Sequence, residues 1–373
     1  MQLQTGEATS GELTVVDEAV TGRLQRARWR AMILWTPALI ASLGLVMLAA
    51  STLGAARIPV ATTAGVLLET VGVATSWAGD ATETQRQIIR AIRLPRILTA
   101  AIVGAALALV GAVMQSIFRN PMADPGIVGV SAGGALGALL AIASGFASAQ
   151  VLVLPGTAFI GSLAAALAVF LFSLRRGRNQ IATLLLAGIA VTYLCSAATT
   201  ALISLTYNRD TLREMVFWLL GGFDNRGWEH VLLVAPPVAL GTLVFLAHGR
   251  ALNVLVLGEE DAQSLGLRVQ RTRLVLLVAA ALVTSAAVAV SGLIGFVGLI
   301  VPHAIRLLVG SSDHRLTLPL GALGGACFLV AADTIARVAL QPAELRVGVV
   351  TALIGSPCFL WLLAHSRREV RQA

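Results

Sequence analysis

Long stretches without a charged side chain constrain the fold of this chain more than any other feature. Residues 97–118 and 125–174 contain no Asp, Glu, Lys or Arg. A helix crosses the bilayer core with about 20 apolar residues, and backbone groups in lipid must be satisfied within helices or closed barrels. The runs are rich in Ala, Leu, Val and Gly and lack the alternation of a barrel strand. The pattern therefore predicts an all-α polytopic membrane protein.

The low charge content agrees with a lipid environment. Of the 373 residues, 57% are hydrophobic and only 12% are charged, whereas soluble domains average roughly 25% charged residues. Dividing the apolar runs at turn residues such as Ser291-Gly292 gives about ten transmembrane helices. The predicted spans cover 31–56, 97–118, 126–145, 152–174, 181–205, 230–248, 274–290, 293–310, 316–338 and 347–365.

The arginines predict the orientation of these spans. With the amino terminus inside the cell, 17 of the 27 basic residues fall on the inner side, in agreement with the positive-inside rule. Both termini are then cytoplasmic. We expect a polar cytoplasmic tail at 1–30, a transmembrane domain at 31–366 whose long interior loop is 249–273, and a second cytoplasmic tail at 367–373.

The basic residues also limit the function. The chain contains no lysine, and a Walker A loop needs a lysine to reach the nucleotide phosphates. If ATP drives this protein, a separate subunit must bind it. The net charge of +8 does not indicate a nucleic-acid partner, because the arginines cluster at the ends of apolar runs, as membrane topology demands.

Sequence spacing offers no site for chemistry. The five histidines are scattered, and the three cysteines lie far apart in apolar runs. We find no triad, paired-carboxylate site or metal-ligand spacing. The chain is therefore expected to hold no metal or cofactor of its own and not to be an enzyme.

A joint marked by two prolines, RNPMADPGIVGVSAGG at 119–134, separates two apolar runs. Its turn-forming residues include Asp124, which could cap the helix that follows. The block Arg93–Gly134 around this joint resembles the signature of FecCD-type permeases. Two further blocks, Ser291–Pro319 and Ala332–Leu363, resemble the same family in the same order. The resemblance covers about residues 31–366.

The resemblance implies the fold and function of a type II ABC importer permease. Such a subunit sits in the bacterial inner membrane and pairs with a second permease copy. It receives an iron chelate, namely haem or a ferric siderophore, or cobalamin, from a periplasmic or extracellular binding protein. Two cytoplasmic ATPase subunits, which hold ATP and Mg, drive the transport. The sequence does not decide the substrate, although such systems more commonly carry haem or another iron chelate.

The resemblance also implies roles for individual residues at both membrane surfaces. Arg93, Arg96 and Arg337 would hold glutamates of the binding protein on the outside, since the planar fork of arginine pairs carboxylates bidentately. On the inside, the loop 249–273 can form two short helices broken at glycines, and it resembles the coupling helices that enter the ATPase. Its contact residues would be Gly258, Glu259, Ala262, Leu265 and Gly266.

The translocation path is implied near the fifth and tenth spans and the segment 206–229, between two copies of the permease. Small residues at Gly348, Thr351, Gly355 and Ser356 would permit close approach there. Asp333 lies in an apolar run four residues before Arg337. We interpret the two as a local helix pair in which Asp333 orients Arg337, rather than as a proton relay.

Two other classes of function are possible for a polytopic chain. A secondary transporter or channel without an ATPase would normally show buried carboxylates along its path, and the predicted spans contain almost none. A membrane-embedded enzyme would need a catalytic constellation, which the sequence lacks. Ordinary snorkelling at a helix end remains an alternative for Arg93 and Arg96, and an interfacial amphipathic helix remains one for 249–273.

Overall fold

The computed structural model describes residues 32–54, 56–73, 75–79, 81–174 and 180–369. Within these ranges the chain forms fourteen α-helical elements and no strand. They are α1 Met32–Thr52, α2 Val60–Thr70, α3 Glu83–Ile117, α4 Val130–Ala143, α5 Val153–Leu174, α6 Gln180–Leu205, α7 Arg209–Leu219, α8 Trp228–Ala247, α9 Gly249–Leu257, α10 Glu259–Ser264, α11 Val269–Ser291, α12 Val297–Val309, α13 His314–Val338 and α14 Val347–Glu369.

Each of the ten predicted spans corresponds to one helix. Seven of these helices are long and apolar enough to cross a membrane, namely α1, α3, α5, α6, α8, α11 and α13. The other three correspond to shorter apolar helices, α4, α12 and the apolar part of α14, Val347–Trp361. The 13 residues of α12 rise about 20 Å at 1.5 Å per residue, less than the ~30 Å of the hydrocarbon core. This helix is thus too short to cross the core alone, and its first residues, Val297 and Gly298, are buried.

Most residues of the two predicted tails lie outside the described residues. The tail at 1–30 and residues 370–373 lie outside the described residues. At 367–369 the backbone continues α14, so the predicted start of the second tail at 367 lies within a helix. The apolar pattern could not show this, because a helix can extend beyond the membrane once its side chains become polar.

The start of the second predicted span differs from the structure. The sequence places Arg93 and Arg96 at the start of a helix, but α3 is one continuous helix of 35 residues that begins at Glu83. A capping box at Thr82 and Gln85 starts it, and a π-helical segment, Ile88–Arg93, follows. A stretch without charged residues marks the membrane-embedded part of a helix but does not show that the helix continues into a polar segment. Both arginines therefore lie within α3.

The core is organised around α3 and α11, whose most apolar windows are each 78% buried. Glycines bring α3 against its neighbours. A Cβ added at Gly104 would lie 2.2 Å from the carbonyl oxygen of Gly325 in α13, and one at Gly111 would lie 2.0 Å from that of Gly298 in α12. Backbones approach this closely only where side chains are absent.

The bundle has two ends, which we name after one residue at each. The Arg96 end contains the first half of α3, the loop between α7 and α8, the end of α13 and the loop 339–346. The Gly258 end contains the end of α3, helices α9 and α10, and the starts of α11 and α13. The joint at 119–129 lies here too, and Asp124 caps the helical turn Pro125–Val128 by accepting from the Gly126 amide at 2.8 Å, as predicted.

Candidate functional site

Two of the three predicted docking arginines are buried at the Arg96 end. Arg93 and Arg337 are each 6% exposed. Arg93 donates to the carbonyls of Ser51 and Ala56, and Arg337 donates to that of Ala50 at 3.0 Å. These carbonyls belong to the end of α1 or just beyond it, where the last turn has no partner within the helix. The two guanidinium groups therefore act as a carboxyl-terminal cap for α1.

Asp333 joins two of these arginines. Its carboxylate, 1% exposed, lies 3.2 Å from Nε of Arg337, so the predicted local pair is confirmed. It also accepts from Arg96, from Nε at 3.1 Å and from Nη2 at 2.8 Å. This bidentate contact connects α3 to α13 across 237 residues of sequence, and the i,i+4 spacing alone could not indicate it.

Arg96 also faces two carboxylates from loops. Its Nη1 lies 3.1 Å from Glu344 and its Nη2 lies 3.4 Å from Asp224. Asp224 in turn pairs with Arg346, whose guanidinium stacks 4.0 Å from the centroid of the Phe217 ring. The docking trio thus belongs to a larger network of charges, in which the Asp224 and Glu344 carboxylates are more exposed than Arg96.

The network borders a polar cavity of about 490 Å³ lined by Arg96, Asp224, Arg226, Glu229 and Glu344, among others. Burial lowers the pKa of Arg226 to about 10, although Asp224 opposes the shift. Burial also raises the pKa of Glu344 above the ordinary value, despite the proximity of Arg96. Arginines and carboxylates therefore face each other across the cavity, and burial affects the charged forms of both Arg226 and Glu344.

Sequence reasoning missed the loop members of this network. Glu344, Asp224 and Arg346 received no role, although the predicted topology puts 206–229 and 339–346 on the same side of the membrane as Arg96. Opposite charges on same-side loops were therefore a usable signal. Which of them meet depends on how α3, α8 and α13 pack.

Backbone segments from three parts of the chain also meet at one place. Gly221 follows α7, Gly292 follows α11 and Gly348 lies at the start of α14. A Cβ at Gly221 would lie 2.3 Å from the carbonyl oxygen of Leu293, and one at Gly348 would lie 2.2 Å from that of Leu220. The first two glycines also have φ of +67°, which other residues rarely adopt. We call this region the helix-break junction.

An apolar cavity of about 510 Å³ opens at the helix-break junction. Two of the four predicted path residues, Gly348 and Ser356, line it together with Leu293 and Leu353. Thr351 is buried and its hydroxyl donates to the Gly348 carbonyl at 3.1 Å. Gly355 lies behind the cavity, where a Cβ would be 2.6 Å from the Phe296 side chain. No ionisable residue is among the described residues that line this cavity.

The loop at the Gly258 end folds as the two short helices expected, α9 and α10, broken at Gly258 and Gly266. Leu265 is 65% exposed, whereas Ala262 is fully buried. Glu259 is partly exposed and lies 3.3 Å from Arg273 at the start of α11. Of the five predicted contact residues, Leu265 and Gly266 are at the surface, while Gly258 and Ala262 pack inward.

Polar contacts fix this loop to the bundle. Asn253 of α9 donates to Asp313 at 2.6 Å and accepts from the backbone amide of His314 at 2.8 Å. The His314 ring bridges Asn253 and Ser116, at the end of α3. A displacement of α9 would therefore be transmitted directly to α3 and α13.

Comparison with known proteins gives consistent results. A model of the FecCD transport family matches residues 53–365. The chain is 50% identical over 289 residues to the cobalamin import system permease protein BtuC of Halobacterium salinarum, covering 78% of this chain and 76% of that protein. It is 46% identical over 301 residues to the hemin transport system permease protein HmuU of Yersinia pestis, covering 79% and 88% of the two chains.

Its fold is also similar to a solved structure described as an inward-facing conformation of a metal-chelate type ABC transporter. The TM-score is 0.76 at 34% sequence identity, and the match covers 88% of this chain and 98% of that one. With a family model that spans most of the sequence and relatives at this level of identity, the chain belongs to the FecCD transport family.

Proposed function

We propose that this permease subunit of an ABC importer passes a metal chelate through the apolar cavity at the helix-break junction. The observation that carries the proposal is the composition of that cavity, which small and apolar side chains line without an ionisable group. Such a wall offers a large chelate no strong binding site, so the chelate can pass without being trapped. It also offers no carboxylate for ion coupling, which is unfavourable to an ATPase-independent carrier.

The proposed cargo is cobalamin, haem or a ferric siderophore. Relatives that import cobalamin and hemin both resemble the chain over more than three quarters of its length. Recognition of the chelate would belong mainly to a soluble binding protein, because the cavity wall has few polar groups. The metal enters as part of the cargo.

The proposed assembly contains two copies of this chain, two cytoplasmic ATPase subunits that hold ATP and Mg, and a binding protein outside the inner membrane. Leu353, a wall residue of the apolar cavity, is 67% exposed in the single chain. The wall is therefore open at α14, where a second copy would complete it. Both termini would lie in the cytoplasm.

Docking of the binding protein is proposed at the Arg96 end. There Arg96 would receive an acidic residue of the partner, while Arg93 and Arg337 would hold the end of α1 and the Asp333 carboxylate in place beneath it. The bidentate geometry of Arg96 with Asp333 supports the proposal, because it fixes the guanidinium at the edge of the polar cavity.

Coupling to the ATPase is proposed at α9 and α10. Three exposed apolar side chains lie next to the breaks at Gly258 and Gly266, namely Val256, Leu257 and Leu265. Apolar side chains exposed together on a polar surface favour a protein partner. Glu259 and Gly266 would lie at the rim of the contact, and Gly258 and Ala262 would set the loop's shape.

Uptake into proteoliposomes tests the proposed function. Vesicles containing the permease and its ATPase receive the binding protein loaded with cyanocobalamin, haemin or a ferric siderophore. We expect uptake of one class that requires both ATP and the binding protein. A Ser356→Trp variant, which fills the cavity, should lose uptake while keeping its ATPase subunits. Uptake driven by an ion gradient without ATP would contradict the proposal.

A further inference from the structure

A separate cavity lies at the Gly258 end, away from the apolar cavity of the path. It has a volume of about 250 Å³ and is bounded by the ends of α3 and α5 and the beginnings of α6 and α11. Its apolar wall includes Phe118, Phe170, Leu184 and Leu277, and its polar edge includes Arg271 and Arg273. Neither the path nor the proposed docking surface uses this cavity.

Arg271 and one nitrogen of Arg273 lack an acceptor among the described residues. Arg273 is 7% exposed. One of its terminal nitrogens lies 3.3 Å from Glu259, but its Nε has no hydrogen-bond partner in the described part of the chain. A buried donor without an acceptor is costly. Arg271 is exposed and pairs with no described carboxylate. An additional anion at this edge would satisfy both groups.

The surroundings of the cavity indicate what kind of anion would fit. Leu171 and Phe172 at the end of α5, Leu186 at the start of α6 and Val278 in α11 are all exposed apolar residues. They flank the cavity on helices long and apolar enough to cross the membrane. The arginines lie at the first turns of α11, where such a helix would leave the hydrocarbon. An anion at this depth would be next to acyl chains.

We propose that this cavity is a binding site for one anionic phospholipid. The phosphate would lie at Arg271 and the free Nε of Arg273, and part of an acyl chain would lie against Phe118, Phe170, Leu184 and Leu277. Basic pockets between helices near a membrane surface suit acidic headgroups. A free phosphate would satisfy the arginines but would leave the apolar wall without a partner. Bound lipid would stabilise the position of α11 beside Glu259, next to the proposed coupling loop.

Native mass spectrometry of the full chain in detergent tests the proposal. The probes are phosphatidylglycerol, phosphatidylcholine and inorganic phosphate, added separately and in competition. We expect phosphatidylglycerol to be retained in preference to phosphatidylcholine. The variant Arg271→Gln should reduce that retention about fivefold, the equivalent of ~1 kcal/mol for one arginine near an acidic lipid. The variant Leu184→Trp should reduce it by filling the apolar wall.

The matched control is Arg268→Gln, which removes an exposed arginine just before α11 that does not line the cavity. It should retain lipid as the unaltered chain does. Equal loss in this control, or equal retention of the two lipids, would overturn the proposal. Displacement of phosphatidylglycerol by inorganic phosphate would also overturn it and indicate a free-anion site. If a thermal scan shows that Leu184→Trp does not fold, the proposal is tested by Arg271→Gln alone, because Arg271 is exposed.

Discussion

At the scale of single residues, the fold depends on how a few charges are satisfied within a largely apolar bundle. Asp333 is the clearest case, because it is almost completely buried and holds both Arg96 and Arg337. Its pairing with Arg337 follows from i,i+4 spacing in the sequence. Its pairing with Arg96 depends on the contact between α3 and α13, which no local pattern specifies.

Removing the Asp333 charge should destabilise the protein strongly. In Asp333→Asn two buried guanidinium groups lose their shared carboxylate, and breaking a buried pair costs about 3–5 kcal/mol. We expect a large drop in Tm when the purified permease is heated in detergent. The control Glu214→Gln changes an exposed carboxylate of α7 and should leave Tm nearly unchanged. Similar Tm values for the two variants would show that the Arg96 network is not structural.

Glu344 should compete with an incoming carboxylate for Arg96. It is exposed, and its contact with Arg96 is 3.1 Å. Exposed pairs contribute about 0.2–1 kcal/mol, so Glu344→Gln should strengthen capture of the binding protein by up to about fivefold. The effect should be largest at low salt, where charges are least screened. Surface plasmon resonance at two salt concentrations measures it.

The control for this measurement is Glu229→Gln. Glu229 lines the same polar cavity but does not contact Arg96. Equal strengthening by both variants would indicate a general charge effect and contradict docking at Arg96. Arg96→Gln should weaken capture, provided that its Tm shows a folded protein.

At the scale of helices, glycines decide which elements can touch. Gly104 and Gly325 allow α3 and α13 to approach until each Cα faces the other's carbonyl. At the helix-break junction, Gly221 lies close to the carbonyl of Leu293 and Gly348 lies close to that of Leu220. The sequence showed these residues to be small but not which helix each one faces. Composition therefore predicted helices well and their partners poorly.

A side chain at Gly325 should separate α3 from α13. A Cβ there would lie 2.2 Å from the Gly104 carbonyl oxygen, whereas one at Gly321, in the same helix, meets nothing within 4 Å. Gly325→Ala should therefore cost at least ~1–3 kcal/mol from overpacking. Gly321→Ala should be neutral or slightly stabilising, because alanine is the better helix former. Equal Tm values for the two would contradict the described approach of α3 and α13.

A charge at Leu265, directly after α10, should prevent binding of the ATPase. Leu265 is largely exposed beside the break at Gly266, so Leu265→Arg should fold normally while losing the apolar contact with the ATPase. We expect loss of ATPase co-purification and uptake with little change in Tm. Arg250→Gln at the start of α9 is a control from the same loop. Normal uptake by Leu265→Arg would exclude coupling through this surface.

At the scale of the whole molecule, one chain presents an incomplete path. The apolar cavity has Leu353 at its open wall, and α14 carries further exposed apolar residues at Leu360 and Trp361. Exposed apolar residues of a membrane protein can face lipid. A cavity that is open to lipid on one side, however, would not enclose a path for a chelate. The open side therefore favours a second copy related by two-fold symmetry.

Cysteine cross-linking should detect that second copy. With Cys195, Cys327 and Cys358 replaced by serine, Leu353→Cys should form an intermolecular disulfide in membranes. Leu232→Cys, equally exposed on α8, should not. Cross-linking by Leu232→Cys alone would assign the interface to another face of the bundle. The second copy would then not complete the cavity wall at Leu353.

The sequence by itself determined the membrane environment, the helical class and the approximate positions of the ten apolar helices, because the cost of burying charge and backbone in lipid acts on local stretches of chain. It also determined the breaks at Gly258, Gly266 and Ser291-Gly292, where turn chemistry is local. Tertiary structure alone decided that Arg93 and Arg337 cap α1, that Arg96 shares Asp333, and that Ala262 packs inward while Leu265 faces out. These outcomes depend on contacts between residues far apart in sequence, and only helix packing brings those residues together.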